Sequence, residues 1–151
     1  MSMSNYLENK ILDWLLRGQS FTPPTPIYVG LVTTIGSDSS AGTEVAYSGY
    51  ARQSVTPSLS NISGTQGDAT TSASSGTSGV ISNNNTITFP TPPSDVASPV
   101  VGIIIMDAST SGNLLFWGPL VGSDGVTPVS RSLLGGNPVT ISAATLRFAL
   151  D

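Results

Sequence analysis

Nine carboxylates, Glu8, Asp13, Asp38, Glu44, Asp68, Asp95, Asp107, Asp124 and Asp151, and two tryptophans, Trp14 and Trp117, are the residues with reactive or recognition chemistry. A pair of carboxylates suffices for glycoside hydrolysis, which needs neither imidazole nor thiol. These acids, however, fall mainly in turn-forming and helix-capping contexts, where Asp is favoured for backbone reasons. The chain has no His and no Cys. The commonest general base, the common thiol nucleophile and the usual transition-metal ligands are therefore absent. GxxxxGK[ST], GxSxG and GxGxxG patterns are absent too, so nucleotide binding and α/β-hydrolase chemistry have no support. Oxygens around Asp107 or Asp124 offer a Ca²⁺ site only without the D-x-[DN]-x-[DN]-G spacing. Trp14 and Trp117 suit an interface or a sugar as well as core packing. The expectation is a protein that is not an enzyme, with no catalytic residue, no cofactor and no metal.

The strongest structural signal around these residues is VVGIIIMDASTSGNLLFWGPL, residues 100–120. Two apolar runs, 100–106 and 114–117, flank the turn-forming cluster 107–113 and predict a β-hairpin. Alternation places Leu114 and Phe116 on one face and Leu115 and Trp117 on the other, so both faces are apolar. An antiparallel strand normally wets one face. The hairpin is therefore expected at the centre of a sheet, one face in the core and the other covered by a helix or another subunit.

Residues 5–17, NYLENKILDWLLR, predict an amphipathic helix with Asn5 as its cap, Glu8 three places on, and Gly18 after its end. Leu7, Ile11, Trp14 and Leu15 share a face that Leu12 and Leu16 extend, opposite Asn9, Lys10, Asp13 and Arg17. That apolar arc is wider than one sheet needs. Part of it is expected to meet a second surface, a loop or a neighbouring chain.

After the proline-rich connection 21–26 the period changes to two. Strands are expected at 27–34, at 44–55 with an interruption at Ser48 and Gly49, at 86–89, at 128–134 as an edge strand, around Val139 and Ile141, and at 145–151. Residues 57–85 are almost wholly Ser, Thr, Gly, Asn and Ala, with Asp68 their one charge. Their few apolar residues, Leu59, Ile62, Val80 and Ile81, bury too little to offset ordering entropy, so an exposed loop or arm is expected, ordered by a neighbour. The whole reads as a single domain, 1–151: a mainly β, antiparallel β-sandwich or jelly roll of about seven or eight strands preceded by one N-terminal amphipathic α-helix.

Composition limits the partners. Only 9% of the residues are charged, and the five bases are scattered against nine acids for a net −4, so no stripe exists to neutralise phosphates and no nucleic-acid partner is expected. The opening residues lack the basic start of a signal peptide, and no run approaches the ~18 apolar residues of a membrane span, so no membrane partner is expected.

Taken in order, SNYLENKILDWLLRG (4–18), PIYVGLVTT (26–34), GTEV (42–45), GYARQSV (49–55), ITFP (87–90), GIIIMDASTSGNLLFWGPL (102–120) and the closing TLRFALD resemble a family of small tailed-phage virion proteins. Members are often labelled tail fibre or virion structural protein. The likeness is collinear and covers most of the chain apart from the low-complexity segment. It implies a component of an assembled particle with no catalytic residues to carry over. The leading expectation is a capsid cement or decoration protein that binds between capsomers, on the capsid surface in preference to the tail. A tail or tail-fibre component involved in host attachment is the alternative, and a stand-alone carbohydrate-binding module the third. The expected partners are the major capsid protein or tail proteins of the same virion and further copies of the chain, as a dimer or trimer. Leu12, Trp14, Leu16, Leu59 and Ile62 are the candidate interface residues.

Overall fold

The computed structural model describes residues 1–67 and 70–150; Asp68, Ala69 and Asp151, which include the expected charge of the arm and the end of the closing strand, lie outside the described residues. In chain order the elements are β1 (Ser2–Met3), α1 (Asn5–Leu16), β2 (Ile27–Thr34), β3 (Thr43–Glu44), β4 (Gln53–Val55), β5 (Val80–Ser82), β6 (Ile87–Phe89), β7 (Gly102–Met106), β8 (Leu114–Pro119), β9 (Val139–Ile141) and β10 (Arg147–Ala149). Six strands form one antiparallel sheet in the order β1-β8-β7-β2-β3, with β4 also on β2; β5 pairs β10 and β6 pairs β9 as separate ribbons. The fold is mainly β and antiparallel with one short N-terminal helix, and the sheets do not close into a barrel. Ten short strands stand among the described residues where seven or eight were expected: β1 forms ahead of the helix, the interrupted 44–55 segment splits into β3 and β4, and the arm supplies β5, while 128–134 forms none.

β2 and the β7–β8 hairpin are the middle of the large sheet. Val29 and Leu31 of β2 join Ile103 and Ile105 of β7 in the main core, together with Ile87 and Phe89 of β6, Val139 of β9 and Phe148 of β10. Both ribbons therefore bury their apolar residues against the same side of the sheet. On the opposite face Val32, Ile104, Met106 and Leu114 form a smaller buried cluster, with Tyr28, Ala41 and Trp117 packed against it. Neither a helix nor another subunit is needed to cover this face. Large side chains of the sheet itself and the loop after β2 do so, and Trp117 Nε1 donates to Asp38 Oδ1 of that loop at 3.2 Å.

The pleat of β8 differs from simple alternation. Ile105 pairs with Phe116 while Met106 pairs with Leu114, so Leu115 is an extra residue on β8, a β-bulge. The bulge turns Leu115 and Phe116 toward the main core and leaves Leu114 and Trp117 on the other face. The expected pairing of Leu114 with Phe116 and Leu115 with Trp117 is thereby corrected.

The helix is capped one residue earlier than its sequence suggested. Ser4, not Asn5, is the N-cap, its side chain accepting from Leu7 N at 3.3 Å. The C-terminal end follows expectation: the Arg17 N–H reaches Asp13 O, and Gly18 takes φ +66°, a conformation that costs glycine little.

Two further expectations change. Residues 128–134 are not an edge strand; they make only isolated bridges, Val121 with Pro128 and Val100 with Arg131. The arm, for its part, is anchored by its own chain. β5 pairs with β10, and buried Asn83 donates through Nδ2 to Asn85 O and Ser142 O while its Oδ1 accepts from Leu146 N at 2.8 Å. Hydrogen bonds, together with the packing of Ile81 on the main core, order that end of the segment. No helix is long and apolar enough to cross a membrane among the described residues.

Candidate functional site

Helix α1 is held at its first turns only. Leu7 is buried, and Tyr6 and Ile11 pack against the main core, whereas Leu12, Trp14, Leu15 and Leu16 are 51%, 56%, 65% and 73% exposed. Trp14 lies on the same helical face as Leu7, so its exposure means that the C-terminal half overhangs the core. At about 100° per residue Leu15 is the middle of the free arc, with Trp14 on one flank and Leu12 and Leu16 on the other. The Asp13–Arg17 ion pair, 2.8 Å and i,i+4, lies on the back of the helix. The surplus apolar arc read from the sequence is thus exposed, and no loop among the described residues covers it.

The second group of expected residues lies on the arm. Leu59 is 48% exposed at a turn closed by Ile62 N–H to Ser58 O at 3.0 Å. Ile62 is half-buried and lines a cleft of about 440 Å³ with Ile27, Ile81, Phe116, Phe148 and Leu150. Phe116 and Phe148 meet edge-to-face at 5.2 Å on its floor. Among the described residues the remaining lining is Pro, Ser, Thr and Gly. The five candidate interface residues therefore divide between a convex helix end (Leu12, Trp14, Leu16) and the neighbourhood of a concave cleft (Leu59, Ile62). Sequence reasoning missed the cleft, because its walls come from four segments that are distant along the chain.

A polar network that the sequence did not reveal fixes the tip of the β7–β8 hairpin. The outer edge of β2 is covered by β4 along Ile27–Val29 and by β3 at Val32 and Thr34, leaving Leu31 between them. The Leu31 N–H donates to the Tyr50 hydroxyl at 2.9 Å, and that hydroxyl donates to Glu44 Oε1 at 2.9 Å. Burial raises the Tyr50 phenol well above the ordinary tyrosine value, and the neighbouring Glu44 carboxylate adds to the rise. Arg52 grips Glu44 through Nε and Nη2, the latter at 2.9 Å, while its Nη1 donates to Ala108 O at 2.8 Å and Ser111 O at 2.7 Å. Every arm of the guanidinium is engaged, so this is a clamp and not a vacant binding group. The signal in the sequence was slight: an arginine in a strand otherwise almost free of charge.

Two further acids serve their own turns. Asp107 accepts from Asn113 N at 2.6 Å and Asn113 Nδ2 at 2.7 Å. Asp124 accepts from Val126 N and Thr127 N, both at 3.0 Å, and from the Thr127 hydroxyl, and these donors hold its carboxyl at about 2. Among the described residues no three acidic side chains converge on a point where a metal ion would sit.

The fold and its surface define a small antiparallel β protein whose ordered polar groups support its own turns and whose unpartnered features are apolar. The chain belongs to the family described as Podophage GP4 fiber I protein gp80, whose model matches residues 2–148. It is accordingly a member of a tailed-phage virion structural protein family, and the matched range runs through the low-complexity arm that the resemblance in sequence had left aside. No curated protein matches the chain.

Proposed function

We propose that this protein is a non-enzymatic structural subunit of the virion, a component of the tail fibre or its attachment, held in place by apolar contacts with neighbouring virion proteins. The observation that carries the reading is the free end of α1, which leaves Leu12, Trp14, Leu15 and Leu16 in solvent at the end of an otherwise well-anchored helix. A soluble chain gains nothing from such a patch unless something covers it. The word fiber in the family's description supports ranking the fibre role above the capsid role that the sequence had put first. Both ribbons pack on one side of the large sheet, which supports the sandwich form of the fold read from sequence.

The cement role keeps one observation in its favour: the chain has no fibrous repeat, and its strands turn back in short antiparallel pairs. A sugar-binding role has less, since Trp117 packs on the smaller cluster and is held by Asp38. Quantitative mass spectrometry of purified virions tests the reading. Tail symmetry predicts roughly a few copies per hundred major capsid subunits. A ratio near one copy per one or two capsid subunits overturns the fibre role in favour of cement, and absence from virions overturns both.

A further inference from the structure

We draw no further inference here: the strongest candidate, the exposed apolar patch of Leu12, Trp14, Leu15 and Leu16 on the C-terminal half of α1, belongs to the site already described, and nothing in the structure shows what covers it.

Discussion

The backbone N–H of Ser4 donates to the carbonyl of Leu115 at 2.9 Å. Leu115 is the extra residue of the β8 bulge, and the Ser4 hydroxyl, which caps α1, also donates to the neighbouring carbonyl of Leu114. One small residue thus ends β1, starts the helix and satisfies two carbonyls at an irregularity in the sheet. Ser4 is buried, so none of these groups can turn to water instead.

Ser4→Ala removes the cap and orphans a buried carbonyl. The expected loss is about 1–2 kcal/mol, or roughly 3–6 °C in Tm for a chain of this length. A thermal melt reads it, and an unchanged Tm would show that the helix start does not depend on this side chain.

Arg52→Ala is expected to destabilise the chain by about 2–3 kcal/mol, since it strips a carboxylate of its partner and frees two carbonyls of the hairpin tip. Arg52→Lys recovers only part of this, because an ammonium cannot reproduce the fork that spans Glu44, Ala108 and Ser111. Hydrogen exchange should show faster opening at residues 107–113 in both variants, the alanine more than the lysine.

Tyr50→Phe leaves the Leu31 N–H without its acceptor in the gap between β3 and β4, at a cost of about 1–2 kcal/mol by urea unfolding. The pH dependence has a definite sign. The fold raises the Tyr50 pKa and so favours the neutral phenol, giving a contribution that is complete below the unfolded value of about 10 and is lost as pH rises beyond it. Ultraviolet titration should find one tyrosine ionising well after the others, and Tyr50→Phe should abolish that late step.

Gly30 faces Ile104 across the β2–β7 ladder, with the Glu44 side chain above it. A Cβ there would meet Glu44 Oε1 at 2.8 Å and Ile104 Cγ1 at 2.9 Å. Gly30→Ala is expected to cost about 1–3 kcal/mol by overpacking, in spite of the better strand preference of alanine. An equal or higher Tm would mean that Glu44 moves aside freely.

Asp124 is expected to titrate at about 2 in a carbon-detected NMR pH series, held down first by the Thr127 hydroxyl and then by the N–H groups of Val126 and Thr127. Its folded value lies below the unfolded one. Its support for the turn before Pro128 is therefore complete above pH about 4 and fades as pH falls toward about 2. Thr127→Val should move the midpoint upward.

Much of this architecture is legible in the residues themselves. Period-two alternation located Ile27–Thr34, the runs on either side of residues 107–113 announced the hairpin, and the wide apolar arc of residues 5–17 signalled a surface in search of a second contact. Those features are local, set by backbone preference and side-chain spacing, and so survive being read one segment at a time. The family resemblance was readable for the same reason, since it rests on the order of such segments.

What tertiary structure decided are the matters that depend on residues far apart. Local preference allowed Asn5 as a cap, and Ser4 holds the position because Leu114 and Leu115, more than a hundred residues on, present the carbonyls that bury it. The bulge that reverses the faces of Leu115 and Phe116 comes from register against β7, which no alternation within β8 encodes. The arm gained an anchor because Asn83 could saturate its amide on the C-terminal segment, a polar source of order that a count of apolar residues overlooks. The cleft exists only where Ile27, Ile81, Phe116 and Phe148 converge, for concavity is a relation between segments and belongs to none of them singly.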